Sequence, residues 1–94
     1  MNKIKVALIF EDKNVAKKFA FKNAPDGTVV MDSQSQFVYE TSILRFDWIK
    51  PNINFKGKRI HFVYTTEDIR NTHWFDAVIR PMQIVGVGVI GQKY

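Results

Sequence analysis

The sequence predicts an α/β fold: one small domain over residues 1–94, with five or six short strands and one or two helices. The first observation is Lys3–Phe10, which ends in a continuous apolar run typical of a strand buried on both faces of a parallel sheet. The second is the order of the next two segments, because a helical pattern and then a second strand make a strand–helix–strand opening. A β-hairpin in the middle of the chain would instead make the sheet mixed and the fold α+β.

The first helix is predicted to begin near Asp12 or Asn14, since either side chain can accept a hydrogen bond at a helix N-terminus. Apolar residues then recur at helical spacing and form one stripe, with lysines largely on the opposite side. The stripe consists of Val15, Ala16, Phe19 and Ala20. Pro25 and Gly27 end the helix, because proline disfavours helical geometry at the preceding residue and glycine serves a turn. Thr28–Met31 is the second strand.

The middle of the chain leaves two interpretations open. Phe37–Tyr39 fits a strand, whereas Ile43–Ile49 fits either a short helix or a bent strand. Pro51 and the asparagines around it mark a break. Beyond the break, Arg59–Thr65 alternates in polarity and is rich in β-branched and aromatic residues, which predicts another strand.

Two further elements are predicted in the C-terminal third. Thr65 or Thr66 caps a short helical turn that runs through Arg70, because acidic residues follow where the positive helix end favours them. The stretch "FDAVIRP" is then predicted as a fifth short strand that ends at Pro81. The segment Glu67–Pro81, which we call the corner segment, is expected to close a packing corner of the domain, with Ile69 pointing inward.

The tail "QIVGVGVIG" predicts a strand in which Gly86 and Gly88 share one face. Bare backbone in a strand indicates that something packs closely against it. One occupant would be an aromatic side chain of the same chain. The other would be a second copy, which would make the protein a homo-oligomer through its C-terminal strand.

Composition and charge limit the function classes. The chain has 14 basic and 9 acidic residues, a formal net charge of +5, which favours encounters with acidic partners. It contains no cysteine, so disulfide bonds and thiolate metal sites are excluded. The first apolar run ends at Glu11 and is too short for a signal peptide, and no stretch has the length of a membrane span. We therefore expect a cytoplasmic protein without a membrane partner.

The stretch "GKRIHFVYTTEDIRNTHWFDAVIRP" resembles a strand pattern of RecA-like ATPase cores in viral packaging motors and helicases. Residues 68–71 match the turn of that pattern, and Phe75–Ile79 match the strand that comes after it. Arg80 and Pro81 replace the acidic pair that handles magnesium in that family. The turn "EDKN" after the first strand has no glycine for a phosphate loop. The resemblance therefore implies a strand framework without the ATPase activity.

The residue usage, rich in asparagine, lysine and isoleucine, also resembles that of accessory proteins of low-GC bacteriophages. That resemblance implies a non-enzymatic binding protein or inhibitor that binds a host protein or complex in the host cytoplasm. Tryptophan and arginine are the residues that most often dominate the energy of contact surfaces, and bare strand glycines admit a close partner. The predicted interaction residues are Arg70, His73, Trp74, Arg80, Gly86 and Gly88.

A basic nucleic-acid-binding protein is the first alternative. The closest cluster of cations is Lys56, Lys58 and Arg59, and Trp48 would be a stacking platform for a base. Retention on DNA or RNA would then weaken steeply with salt, because phosphate contacts release counterions.

A magnesium-dependent enzyme is the second alternative. Acidic residues come after several predicted strands, and the carboxyl ends of parallel strands meet at one edge of a sheet. The residues concerned are Asp12, Asp32 and Asp68. Acidic residues at such positions more commonly cap helices, so the leading prediction contains no metal, no cofactor and no catalytic residue.

Overall fold

A computed structural model of the protein describes residues 3–53, 60–82 and 84–90. These residues form six strands: β1 (Ile4–Ile9), β2 (Thr28–Asp32), β3 (Phe37–Glu40), β4 (Leu44–Ile49), β5 (Phe62–Thr66) and β6 (Gly86–Ile90). They also form two α-helices, α1 (Lys13–Asn23) and α2 (Glu67–Arg70), and then a π-helix (Phe75–Ile79) and a 3₁₀ turn (Arg80–Met82). The predicted fold class, a small α/β domain with a strand–helix–strand opening, is confirmed.

The six strands make one mixed sheet in the order β2-β3-β4-β1-β5-β6. Strand β1 pairs in parallel with β4 and β5, and β5 pairs in parallel with β6. The strands β2, β3 and β4 form an antiparallel meander, so the middle of the chain makes the sheet mixed, as the α+β alternative expected. As a consequence β1 and β2 point the same way but are separated by β3 and β4.

The first helix has the features that its sequence predicted. The Asp12 side chain accepts a hydrogen bond from the Asn14 backbone N–H at 2.9 Å and caps the N-terminus. Ala16, Phe19 and Ala20 of the apolar stripe are buried. They pack on the sheet face formed by alternate residues of β1, because successive side chains of a strand point to opposite faces.

Each face of the sheet has its own core. On the first face, α1 covers a cluster that includes Leu8, Phe37 and Phe46. On the second face, α2 and the π-helix cover a cluster that includes Ile9 and Val63. Strand β1 contributes to both clusters, and its residues from Val6 to Ile9 are all buried, which explains why its sequence is a continuous apolar run.

The prediction that "FDAVIRP" is a strand is wrong. Phe75 and Ile79 lie four residues apart and are both buried, whereas Asp76 and Ala77 between them are exposed. A strand would bury alternate residues and would turn Ala77 inward with them. A run of only five residues is too short to distinguish the alternation of a strand from the spacing of a helix. In the structure the segment crosses the second face of the sheet, between β5 and β6, as a helix.

Three other boundaries are decided by the structure. Of the segment Ile43–Ile49, Leu44–Ile49 is the strand β4, and no part of it is a short helix. The break predicted at Pro51 is present as a turn, in which Asn52 adopts a left-handed φ of 67°. Thr66 is the residue that precedes α2, whereas Thr65 lies inside β5, where its buried hydroxyl donates a hydrogen bond to the Ile9 carbonyl at 2.8 Å.

The glycine-containing tail forms the edge strand β6, as predicted, and aromatic rings of this chain lie against its glycines. A Cβ atom added at Gly88 would collide with the Tyr64 ring, and one added at Gly86 would lie 3.2 Å from the Phe62 ring. Gly86 pairs with Phe62 and Gly88 with Tyr64 across the ladder between β5 and β6. The rings therefore fill the space that side chains at these two positions would occupy.

Candidate functional site

The predicted interaction residues of the corner lie on the segment that crosses the second face of the sheet. Arg70 and His73 are exposed. Trp74 is half-buried, and its indole N–H donates a hydrogen bond to the Ile53 carbonyl at 2.8 Å. Arg80 is exposed and pairs with Asp76 at 3.5 Å, one helical turn earlier. The hydrogen bond from Trp74 links the turn after β4 to the corner segment. Arg70 and Arg80 are exposed to solvent.

The residues predicted for nucleic-acid binding divide into two sets. Lys56, Lys58 and Arg59 lie outside the described residues. Trp48 lies in β4, where its half-buried ring packs on the first core and its indole N–H donates a hydrogen bond to the Phe10 carbonyl at 2.8 Å. The indole N–H thus has a structural partner within the sheet.

The three carboxylates of the magnesium alternative lie at the edge of the sheet where β1, β2 and β5 end, because these strands share one direction. Asp12 caps α1. Asp32 forms ion pairs with Lys13 at 2.8 Å and Lys17 at 2.7 Å. Asp68 is exposed in the first turn of α2. Within the described ranges, no group of three or more acidic, histidine or cysteine side chains has the arrangement of a metal site.

Replacing Asp32 with asparagine is expected to lower the melting temperature at neutral pH. The hydrogen bond from Lys13, and then that from Lys17, lower the pKa of the Asp32 carboxyl below its ordinary value of 3.8. A lowered pKa in the folded state stabilises the fold above the ordinary value, and that contribution is lost as the pH falls through the lowered pKa. Thermal unfolding of the wild type and of the Asp32→Asn variant, measured from neutral pH down into the acidic range, should show a difference in melting temperature at neutral pH that disappears on acidification.

Asp26→Asn is the matched control, because Asp26 is an exposed aspartate of the turn before β2. At neutral pH its melting temperature should equal that of the wild type. An Asp32→Asn variant as stable as the wild type at neutral pH would show that the two lysines contribute nothing to the fold through this carboxylate.

The second face of the sheet also carries a groove that the sequence did not predict. The buried side chains of α2 and the π-helix cover β1, β5 and Ile49 at the end of β4, and a groove lies beside them over the same face of β2, β3 and the rest of β4. We call this space the open groove; its volume is about 1280 Å³. Val30, Met31 and Val38 form its apolar side, and Ile53 lies at its end.

Two of the three residues on the apolar side of the open groove are accessible to solvent, whereas Val38 is only 9% exposed. Val30 is 55% exposed and Met31 is 44% exposed, and β2 is the terminal strand of the described sheet. All five residues of β2 are exposed. The sequence contained one sign of this, because Val29, Val30 and Met31 are three consecutive apolar residues. A β-bulge between Val29 and Met31 interrupts the alternation of this edge strand, so Val30 and Met31 both line the open groove.

The polar side of the open groove combines a closed ion network with two other cations. Arg45 donates hydrogen bonds to Asp47 at 3.1 Å and to Glu40 at 3.5 Å. The hydrogen bond to Asp47 raises the pKa of the guanidinium further above its ordinary value. Lys5 and Lys50 also line the groove, and neither forms an ion pair with any described residue. The groove therefore has an excess of positive charge beside its apolar surface.

Among the described residues, no helix is long and apolar enough to cross a membrane. A comparison of the chain with protein-family models, with curated proteins and with solved structures gives no match.

Proposed function

We propose that this protein is a non-enzymatic binding protein that binds another protein through the open groove. The observation that carries the proposal is the exposure of Val30 and Met31, 55% and 44%, on a sheet face that α2 and the π-helix cover at β1 and β5. Contiguous apolar surface that stays exposed in a folded domain is typical of an interaction site. The resemblance to bacteriophage accessory proteins extends the proposal: the partner is a host protein or complex, and the chain acts on it in the host cytoplasm as an accessory protein or inhibitor.

The placement of the chemically reactive side chains supports binding rather than magnesium catalysis. Asp12 caps a helix and Asp32 is paired with two lysines. Both carboxylates thus have structural roles that account for their position after a strand. The open groove instead combines exposed apolar side chains with charged residues beside them, as contact surfaces do.

The nucleic-acid alternative has less support from the described residues. Single-stranded nucleic acid binds to exposed aromatic rings with cations beside them, whereas the two aromatic residues that line the open groove, Phe37 and Trp48, have rings that pack on the first core. Its remaining basis is the net charge of +5 and the cluster of Lys56, Lys58 and Arg59. Salt-dependent retention on DNA would be the sign of this function.

A photo-crosslinking experiment tests the proposed function. A photoreactive phenylalanine analogue is introduced at Val30 in one variant and at Ile43 in another, and each variant is expressed in a low-GC bacterium. Ile43 is a matched control, because it is an apolar residue with 59% exposure that does not line the open groove. We expect irradiation to produce a discrete protein adduct from the Val30 position and none from the Ile43 position.

The specificity of that adduct is tested by competition. Excess wild-type protein should suppress the adduct, whereas the Val30→Asp/Met31→Asp variant should not, because carboxylates on the apolar side of the groove disfavour its burial. Equal adducts from both positions, or adducts to nucleic acid alone, would contradict the proposed function. Thermal unfolding of each variant confirms that it is folded, as expected for substitutions at exposed positions.

A further inference from the structure

The shape of the open groove fits one α-helix. The second face of β2 and β3 has no helix over it among the described residues, and on β4 only Ile49, at the end of the strand, belongs to the core that α2 and the π-helix cover. Neighbouring strands lie about 4.8 Å apart, so this strip is about 14 Å wide. A helix with its side chains is about 10–12 Å in diameter. The strip therefore has room for one helix beside the corner segment, as α1 covers the other face.

The charges of the groove select the kind of helix. Val30, Met31 and Val38 would contact an apolar stripe. Lys5 lies on β1, on the opposite side of the strip from β2, and Lys50 comes directly after the end of β4. Neither lysine forms an ion pair with a described residue, so each can pair with a carboxylate of the occupant. Arg45 is already held by Glu40 and Asp47.

We propose that the segment of the partner that binds the open groove is an acidic amphipathic helix. Its aliphatic stripe packs on Val30, Met31 and Val38, and carboxylates along its flank pair with Lys5 and Lys50. This inference rests on the proposed function and specifies the partner's chemistry. Helix-in-groove recognition uses the same combination, in which apolar anchors recur at helical spacing and flanking charges determine partner choice.

Charge disfavours a second copy as the occupant, and the placement of the aromatic rings disfavours nucleic acid. A second copy would bring the same two lysines to the interface, and each chain carries a net charge of +5, so like charges would meet. Nucleic acid would need exposed aromatic rings for its bases, whereas Phe37 and Trp48, the aromatic residues that line the groove, pack their rings on the first core. An acidic helix satisfies both the apolar side and the lysines.

Two synthetic helical peptides test the inference. They share one leucine stripe; the flanks carry glutamate in the first peptide and lysine in the second. Each is titrated into the isotope-labelled protein, and chemical-shift changes of backbone amides report both the affinity and the binding surface. We expect the glutamate peptide to bind about tenfold more tightly than the lysine peptide. The largest shifts should lie in β2, β3 and β4.

Variants separate the two contributions. Lys5→Glu/Lys50→Glu should reverse the preference between the peptides, because the unpaired cations become anions. Val30→Asp should weaken both peptides about tenfold, with Met31→Asp as a second variant at a similarly exposed position. Ile43→Asp, the control with the same chemical change at a comparably exposed apolar residue outside the groove, should bind both peptides as the wild type does.

Several outcomes would overturn the inference. If neither peptide binds while the Val30 crosslink forms, the helix is wrong and the proposed function stands. If the helix binds but the Val30 crosslink is absent from cells, the proposed function loses its support. Equal binding of the two peptides would exclude recognition by charge. A DNA oligonucleotide that shifts the same amides, or self-association in sedimentation that Val30→Asp abolishes, would assign the groove to nucleic acid or to a second copy.

Discussion

Replacing Leu8 with alanine is expected to reduce the free energy of unfolding by about 2–5 kcal/mol, the range for deleting a buried leucine side chain. Leu8 is 0% exposed and lies in the central strand, where its register partners are Trp48 in β4 and Tyr64 in β5. Alanine would leave a cavity between β1 and α1 that the neighbouring strands cannot close. Small domains have a total stability of about 5–15 kcal/mol, so the variant should be close to unfolding at elevated temperature.

Ile4→Ala is the matched control for Leu8→Ala. Ile4 begins the same strand, lies on the same face of it and is 39% exposed. Its truncation should cost about 1 kcal/mol or less, since part of the side chain is already in water. Urea unfolding of both variants measures the difference. Equal losses would contradict the central position of β1 in the sheet.

Replacing Gly88 with valine is the second large change, with an expected loss of about 1–3 kcal/mol from overpacking. A Cβ atom at Gly88 would collide with the Tyr64 ring. That ring cannot move away freely, because it packs on Phe19 of α1 with a centroid separation of 4.8 Å. Relief would need a shift of α1 or of the edge strand β6.

Gly86→Val provides the comparison within the same strand. A Cβ atom there would lie 3.2 Å from the half-buried Phe62 ring, so a displacement of a few tenths of an ångström relieves the contact. We therefore expect a smaller loss of stability than for Gly88→Val in thermal unfolding. Sedimentation of the Gly88→Val variant separates the two occupants considered for this strand. A folded variant with unchanged stability and a smaller assembly would mean that a partner chain, rather than Tyr64, limits the space at Gly88.

Local patterns in the sequence were sufficient for most of the elements. The continuous apolar run of β1, the capped amphipathic stripe of α1 and the alternation of β5 each result from the period of the element itself. The glycine-containing tail was also predicted as a strand in need of a close occupant. The occupant, the Tyr64 ring, could not be identified from the tail alone. The pairing of Gly88 with Tyr64 depends on the register between β5 and β6, which the tertiary structure sets.

The sequence by itself determined the fold class, the central strand, the capped helix and the absence of thiol chemistry, because these depend on composition and on contacts within a few residues. The tertiary structure decided three things. It made Phe75–Ile79 a helix, since that segment crosses a sheet face where Phe75 and Ile79 are buried and Asp76 and Ala77 are exposed. It placed β2 at the edge, which left Val30 and Met31 exposed. It also created the open groove, because the corner segment covers only half of one face. Whether an apolar side chain is buried depends on which elements lie over it, and strand order is a long-range property that no local period encodes.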